Sequence, residues 1–346
     1  MATPTATREA IHPESKGVSP DPILRLASGF MAAKHLFAAS ELGLFEALAD
    51  APTTIDGLAA RTGLTPRSAR INADAMVALG LFERDGDAYR NGPVAAAFLS
   101  GSGRADLRPL LRMWDKVSYP AWCELADALA RGPSKEVLLD DELQEVVAAG
   151  IEAHDVGPAT ALAKAVDFST HRRLLDIGGG TGTWSIAIAE EHPQLEAAVF
   201  ELPTVAEVAS KRIEEAGLES RITVIAGDAM AGRLPSGYDL FLVANLVHYR
   251  SPEQNRELLR RVRDVAEAGS RLLVVDFWTN ATHTEPLAAA LMAGEFAVHL
   301  RDGDVYSVDE IRGCLGETGW RFLEQIWLGG PQSVVLAKVD GETEVE

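Results

Sequence analysis

The glycines between residues 173 and 185 stand where an apolar strand pattern passes into a helical pattern. Because glycine lacks a Cβ, Gly178, Gly180 and Gly182 permit positive φ angles and let a ligand approach the backbone closely. Asp176 places a carboxylate beside this turn, and the first amides of the following helix face the same space. The pattern predicts a cofactor-binding turn, although similar spacing also occurs in dinucleotide-binding turns and in turns that bind nothing.

Polar residues follow the next three strand patterns. Glu201 ends a strand about twenty residues beyond the glycines, where a carboxylate can bind both hydroxyls of a ribose. Asp228 ends the third strand, where it can accept a hydrogen bond from an exocyclic adenine amine. Asn245 and His248 follow the fourth strand, at the edge where ligands bind open α/β sheets. A histidine there suits removal of a proton from a phenol or enol, although a lone loop histidine is also common at surfaces.

Together these features resemble the class I S-adenosylmethionine-dependent O-methyltransferases, which include caffeate-type plant enzymes and bacterial antibiotic-pathway relatives. The resemblance covers about residues 20–340 and rests on Asp-Ile-Gly-Gly-Gly-Thr-Gly at 176–182, Phe-Glu-Leu-Pro at 200–203, Gly-Asp at 227–228 and the histidine after the fourth strand. It implies S-adenosylmethionine as the cofactor, held by Asp176, Gly178, Gly180, Gly182, Glu201, Leu202, Asp228, Ala229 and Asn245.

The resemblance also implies the catalytic groups and the acceptor. His248 falls where the family has its general base, and Asp276, at the end of the fifth strand, falls where the family has an acid that holds the imidazole. The acceptor is expected to be a small, largely apolar molecule with a hydroxyl group. The pocket walls implied by the resemblance are Met113, Trp114, Trp122 and His299, although aromatic residues at the spacing seen in 107–131 are also typical of a core.

Two departures from the family pattern leave the nucleophile open. The family often has His-Asp-Trp at the base, whereas this chain has His-Tyr-Arg at 248–250. Some members carry a second acid where this chain has Val305, and Asp304 is its neighbour. Methylation of a carbon, on a keto acid or an aromatic ring, therefore stays an alternative, as does methylation of nitrogen.

A metal-assisted version of the carbon alternative would need additional ligands beside His248. His283 and His299 are available in sequence, but no HxxH or HxxxH spacing supports a site. We therefore predict that the chain holds no metal.

Strand and helix patterns alternate from residue 172 to 338, which predicts an α/β fold with a Rossmann-like, mostly parallel seven-stranded sheet covered by helices on both faces. A further helical block at 285–300 is expected to cover the substrate. Predicted strands are 173–177, 196–201, 222–226, 238–244, 271–276, 321–327 and 332–338, and predicted helices are 183–191, 204–216, 252–267 and 307–318.

The preceding region predicts a mainly helical winged-helix domain. Apolar residues recur at helical spacing over 23–48, with a break expected near Gly29, and two capped helices follow at 53–64 and 65–79. A hairpin with its turn at Asp85-Gly86 completes the wing. The alternative function is a DNA-binding metabolite sensor, but residues 52–100 carry five arginines and five acids, which leaves no basic footprint. The resemblance implies instead that this domain dimerises, so we expect a homodimer.

Composition restricts the partners further. A formal net charge of −19 over 346 residues repels nucleic acid and anionic membranes, so neither is an expected partner. Two cysteines without a CxxC pair suit a reducing cytoplasm. The expected domains are a flexible leader (1–20), the winged-helix dimerisation domain (21–104), linker helices that contribute to the acceptor pocket (105–168), the catalytic domain (169–340) and a tail (341–346).

Overall fold

The structure is a computed structural model that describes residues 18–103, 105–133 and 141–339. Most of the predicted leader and the whole predicted tail therefore lie outside the described residues. The chain divides into two compact units between Gly92 and Pro93.

The N-terminal unit begins with a long helix that passes through Gly29 without interruption, so the predicted break at that residue is wrong. A single glycine costs a helix only about 1 kcal/mol, which the surrounding helix-forming residues offset. The chain turns instead at Gly43, which has a φ of +71°. The elements of this unit are α1 (Asp21–Glu41), α2 (Leu44–Ala47), α3 (Ile55–Thr62), α4 (Pro66–Ala78), β1 (Phe82–Asp85) and β2 (Ala88–Asn91).

Side-chain caps fix the starts of the two middle helices. The Thr54 hydroxyl accepts a hydrogen bond from the Gly57 amide at α3, and Thr65 does the same at α4, with Pro66 at the first helical position. In the hairpin Asp85 pairs with Ala88, so the turn consists of residues 86 and 87, one residue later than predicted. The shift follows from Gly86, whose φ of +58° suits the first position of a two-residue hairpin turn.

The C-terminal unit opens with helices and then forms the predicted sheet. The helical stretch predicted at 107–131 is interrupted by one π-helical turn, Trp114–Ser118. The elements before the sheet are α5 (Pro93–Phe98), α6 (Arg108–Met113), the π-helical turn, α7 (Tyr119–Trp122), α8 (Leu125–Arg131) and α9 (Asp141–Ala165).

Seven strands form one sheet in the order β5-β4-β3-β6-β7-β9-β8, and β9 runs antiparallel to both of its neighbours. The mostly parallel sheet predicted from the alternation is confirmed. The strands are β3 (Arg173–Ile177), β4 (Glu196–Glu201), β5 (Ile222–Ala226), β6 (Leu240–Ala244), β7 (Arg271–Asp276), β8 (Trp320–Trp327) and β9 (Ser333–Val339). The helices between them are α10 (Thr183–Glu191), α11 (Pro203–Glu215), α12 (Pro252–Val265), α13 (Leu287–His299) and α14 (Val308–Glu317).

Apolar side chains cover both faces of the sheet. All five residues of β6 are buried, as expected for a central strand between two helical layers. Along the strands the side chains alternate between two cores: Leu174 and Leu242 lie in one, Leu175 and Phe241 in the other. This packing holds β3, β4, β6 and β7 side by side in the sheet, so that the residues following their carboxyl ends meet along one edge.

Candidate active site

The turn after β3 is a backbone cradle. Gly178, Gly180 and Gly182 all have positive φ angles, of 68°, 55° and 85°. A Cβ on Gly178 would lie 2.9 Å from a methyl carbon of Leu246, so a side chain there would displace the end of the Leu246 side chain. The Gly180 amide donates to Glu201 Oε2 at 3.0 Å, which ties the turn to the end of β4. The turn therefore places the glycine backbone and the Glu201 carboxylate side by side.

Asp176 lies fully buried beneath the turn. Its Oδ2 accepts a hydrogen bond from the Ser185 hydroxyl at 2.7 Å, while Oδ1 has no hydrogen-bond partner among the described residues. Burial raises the pKa of Asp176 to about 7, and the nearby charge of Glu201 acts in the same direction. A buried acceptor atom without a donor fits a ligand that carries a cationic group, as the predicted cofactor does.

The ends of β4 and β5 place the remaining nucleoside-binding candidates together. Glu201 pairs in register with Ala226, two residues before Asp228. Asp228 is exposed, and its Oδ1 accepts from the Met230 amide at 2.7 Å, which orients the carboxylate. Leu202 is exposed beside Glu201, and Ala229 is buried beside Asp228. Carboxylates at the ends of two neighbouring strands can accept hydrogen bonds from a ribose and from an adenine amine, so these residues fit the predicted cofactor.

Both polar atoms of the Asn245 side chain make hydrogen bonds within the protein. Its Nδ2 donates to Asp155 at 2.9 Å, and its Oδ1 accepts from Gln332 Nε2 at 2.6 Å. Asp155, on α9, also accepts from the Trp184 indole at 3.1 Å. Asn245 thus joins α9 to the sheet, and its predicted contact with the cofactor stays a prediction. The sequence contains no signal for Asp155 as a site residue, since the contact depends on how α9 packs.

His248 and Asp276 form a buried pair at the ends of β6 and β7. The imidazole Nδ1 lies 2.7 Å from Asp276 Oδ1. Asp276 Oδ2 accepts from the amides of Val247 and His248, and Oδ1 also accepts from the amide of Phe277. Because the carboxylate only accepts, Nδ1 carries the hydrogen and Nε2 is left with a lone pair. The arrangement can take up a proton at Nε2.

Helix α13 supports this imidazole from the side. The ring of Phe296 stacks on His248 with centroids 4.1 Å apart and planes 9° apart, and Phe277 meets the same ring edge-on. These rings restrict both the orientation of the imidazole and the access of water. The block at 285–300 therefore reaches the predicted base, as expected of a segment that covers the substrate.

Two predicted pocket residues meet at an acid that the sequence did not suggest. Glu295 accepts from the Trp122 indole at 2.5 Å and from the Ser118 hydroxyl at 2.6 Å, and its Oε1 lies 3.2 Å from His299 Nε2. Burial raises the pKa of Glu295, but the hydrogen bonds from these groups outweigh it and hold the pKa below its usual value. Trp122 and His299 are therefore fixed together by one carboxylate.

The other pocket candidates are separated. Met113 packs against Gly150 of α9, where an added Cβ would lie 2.5 Å from the Met113 Cβ. Trp114 is partly exposed in the π-helical turn. At the position of the family's second acid, Val305 is buried, while Asp304 is exposed and accepts from the Val305 amide at 2.7 Å.

The remaining histidine of the metal alternative lies apart from the pair. His283 Nε2 is 3.2 Å from Glu310 on α14. Among the residues that the structure describes, no group of three His, Cys, Asp or Glu side chains has a metal-binding arrangement.

Comparisons with known proteins agree with this geometry. Residues 128–321 match the model of an O-methyltransferase domain, and residues 24–101 match that of an O-methyltransferase dimerisation domain. The chain is 33% identical over 311 residues to the N,N-dimethyltransferase OxyT of Streptomyces rimosus, covering 86% of this chain and 90% of that protein. It is 34% identical over 280 residues to the 3-hydroxy-5-methyl-1-naphthoate 3-O-methyltransferase of Streptomyces sahachiroi, covering 78% and 80%.

A solved structure shows the same fold. Human N-acetylserotonin methyltransferase, in complex with S-adenosylmethionine, superposes with a TM-score of 0.85 at 23% identity, over 95% of this chain and all of the other. Within the described ranges, no helix is both long enough and apolar enough to cross a membrane.

Proposed function

The chain belongs to the O-methyltransferase family, and from that premise we propose that it methylates a hydroxyl group of a small, largely apolar phenol or enol in specialised metabolism. It is an S-adenosylmethionine-dependent methyltransferase. The observation that carries the proposal of an acceptor that loses a proton is the buried His248–Asp276 pair, with 2.7 Å between Nδ1 and Oδ1.

The pair supports proton removal for a simple chemical reason. A phenol is a poor nucleophile until it loses its proton, and histidine has an ordinary pKa near neutral pH. His248 takes the proton of the acceptor at Nε2, and Asp276 stabilises the imidazolium through Nδ1. Phe296 and Phe277 keep the ring in place and exclude water.

The glycine cradle supports the cofactor assignment on this chain. S-adenosylmethionine supplies an electrophilic methyl group on a sulfonium. We assign its binding to the glycine turn at 178–182, to Glu201 and Asp228 for the adenosine, and to the unpartnered oxygen of Asp176 for the cationic end. Leu246 connects this cradle to the turn with His248, since its side chain lies against Gly178. The two reactants are therefore held at one edge of the sheet, which lowers the entropic barrier to reaction.

Methylation of an amine is the second candidate. The observation in its favour is the 33% identity to OxyT, a protein named as an N,N-dimethyltransferase. An amine acceptor also loses a proton during transfer, so the same histidine would serve it.

A panel of acceptors with isotopically labelled cofactor tests the proposal. Phenols, enols, aromatic amines and keto acids are each incubated with the protein, and the methylated atom is identified by NMR. We expect the label on oxygen. Label on nitrogen alone selects the second candidate, and label on carbon that disappears with a chelator selects the metal-assisted alternative. Absence of binding to S-adenosylhomocysteine by calorimetry would contradict the cofactor assignment for this chain.

We also propose that the dimerisation domain joins two copies of the chain, as its family description implies. This assignment favours an enzyme over a DNA-binding sensor for the winged-helix unit. A gel-shift assay at physiological salt is the test, because affinity for DNA there would contradict the charge argument.

A further inference from the structure

Tyr249 follows His248 in the 3-10 turn after β6, at one of the positions where the sequence departs from the family pattern. Its ring lies beside the imidazole, with centroids 4.4 Å apart. The phenol is closely surrounded: burial raises its pKa, and the carboxylates of Asp276, Asp155 and Glu295 act in the same direction. Yet 47% of the surface of the residue is accessible. A side chain that is surrounded by protein but still accessible lines a cleft.

The three carboxylates around this cleft already have their donors. Asp276 accepts from three backbone amides and from the His248 ring. Asp155 accepts from Trp184 and Asn245 and lies 3.0 Å from the His154 ring. Glu295 is bound by Ser118, Trp122 and His299. A carboxylate offers about four acceptor sites, so little capacity remains in these groups for an acceptor molecule.

The Tyr249 hydroxyl differs from these groups because it has no hydrogen-bond partner in the part of the chain that the structure describes. With its raised pKa the phenol stays protonated over the neutral range and acts as a donor. It is therefore a polar group beside the base that is still able to donate a hydrogen bond.

We propose that the Tyr249 hydroxyl donates a hydrogen bond to a second oxygen of the acceptor, next to the hydroxyl that His248 deprotonates. Because the two rings are neighbours, with centroids 4.4 Å apart, one small molecule in the cleft can reach both groups. The acceptor class is then an aromatic or enolic compound with two adjacent oxygens, such as a vicinal diol, a hydroxy ether or a hydroxy ketone. Tyr249 is a specificity-determining residue, and this inference rests on the proposed function.

Binding of three naphthalene ligands tests the inference independently of turnover. The full-length protein is saturated with S-adenosylhomocysteine and titrated by calorimetry with 2-naphthol, 2,3-dihydroxynaphthalene and 3-methoxy-2-naphthol. In the unmodified protein we expect both two-oxygen ligands to bind about three- to tenfold more tightly than 2-naphthol, the gain of one hydrogen bond between neutral groups. The ether is included because it can accept from Tyr249 but cannot donate to a carboxylate.

Tyr249→Phe should remove the advantage of both two-oxygen ligands and leave 2-naphthol within about twofold of its original affinity. Tyr306→Phe is the matched control, because the Tyr306 hydroxyl already donates a hydrogen bond within the protein, to the Arg250 carbonyl at 2.5 Å. That control should keep the advantage. Titration of each variant with S-adenosylhomocysteine alone verifies that its cofactor site is intact.

Three outcomes would overturn the inference. The first is equal binding of the three ligands to the unmodified protein, which includes the case in which none binds. The second is an advantage that persists in Tyr249→Phe. The third is an advantage for the diol but not for the ether, which would identify a carboxylate as the recognising group. None of these affects binding of S-adenosylhomocysteine or the atom that becomes methylated, so failure of the inference remains distinguishable from failure of the proposed function.

Discussion

Asp276 sets which nitrogen of His248 is available. Its two oxygens accept hydrogen bonds from three backbone amides in addition to the imidazole, so the backbone holds the carboxylate in place independently of the ring. A fixed acceptor at Nδ1 selects one tautomer and one ring orientation. The catalytic proposal therefore concerns a pair of residues, and replacing either one should lower the activity of the enzyme, to different extents.

His248→Ala should lower kcat about a hundredfold to ten-thousandfold, the usual range for general acid–base catalysis, while the affinity for S-adenosylhomocysteine stays unchanged. Asp276→Asn should cause a smaller loss in the same direction, because the imidazole remains but is no longer oriented. Steady-state kinetics and calorimetry measure both effects.

The pH–rate profile of His248→Ala separates the alternatives. A loss of about tenfold or less at neutral pH would remove His248 from the catalytic residues. A defect that shrinks as the pH rises would indicate an acceptor that arrives already ionised. Abolition of turnover by a chelator, with recovery on adding ferrous ion, would point to the metal-assisted alternative.

Asp176→Asn should stabilise the cofactor-free protein at pH 8. Folding raises the pKa of Asp176 from its ordinary value of 3.8 to about 7, so the folded state favours the protonated carboxyl. The stability that this group contributes is complete below pH 4 and is lost as the pH rises through 7. Three pKa units correspond to about 4 kcal/mol at 1.36 kcal/mol each.

Asparagine does not titrate, so the variant should unfold at a higher temperature than the unmodified protein at pH 8, with the difference disappearing towards pH 4. The same variant should bind S-adenosylhomocysteine more weakly, since a neutral amide attracts a cationic group less than a carboxylate does. Thermal unfolding from pH 4 to 8 measures the first effect. Parallel curves for the two proteins would contradict the buried-acid argument.

At the scale of elements, the turn after β3 connects the end of that strand, the proposed cofactor site and the turn that carries the base. Gly178 has both a positive φ of 68° and a close neighbour, Leu246, which leads into the turn that carries His248. Gly217 has the same φ of 68°, but an added Cβ there would meet no atom within 4 Å. Comparing the two positions therefore separates the effect of a positive φ from the effect of a close neighbouring side chain.

Gly178→Ala and Gly217→Ala should each lose about 1 kcal/mol of stability through the positive φ. Only Gly178→Ala should also weaken binding of S-adenosylhomocysteine, by at least tenfold, and reduce kcat, because the new methyl group displaces Leu246. Calorimetry on both variants is the measurement. Equal affinities for the two would mean that the cradle tolerates a side chain.

Local patterns predicted these elements where one physical rule dominates. The limits of β3, β4, β5 and β7 agree with the structure because apolar runs and flanking glycines or acids define buried strands. The break predicted near Gly29 is wrong because the low helix propensity of one glycine was considered without the long run of helix-forming residues around it. The sequence did not indicate Glu295 as a site residue. Its role depends on hydrogen-bond donors from another segment, Ser118 and Trp122, which only the packing brings to it.

At the scale of the whole molecule, α1 exposes a row of apolar side chains that a single chain leaves in water. Phe30 is 50% exposed, and its neighbours on the helix are similarly accessible. Exposed apolar surface of this kind marks an association site. The other members of this row are Ile23, Leu24, Leu26 and Met31.

The protein should therefore behave in light scattering as a dimer, with twice the chain mass of 37.0 kDa. An obligate interface of this kind buries more than about 2,000 Å². Phe30→Glu should shift the population towards the monomer, because it places a charge within the apolar row. Val208→Glu, at a residue of α11 that is 45% exposed, is the matched control and should leave the mass unchanged. A stable, fully active monomer of the unmodified protein would contradict the proposal.

The contacts of α13 have a consequence for directed evolution of this enzyme. Three consecutive residues of the helix contact two parts of the site: Gly294 lies against the Trp122 ring, Glu295 accepts from its indole nitrogen, and Phe296 stacks on His248. A library that varies this helix to admit new acceptors will also displace the base, so gains in acceptor range will be offset by lower turnover. Variation at Trp114 avoids that linkage, and laboratory lineages that broaden the acceptor range should accumulate changes at Trp114 before they change α13.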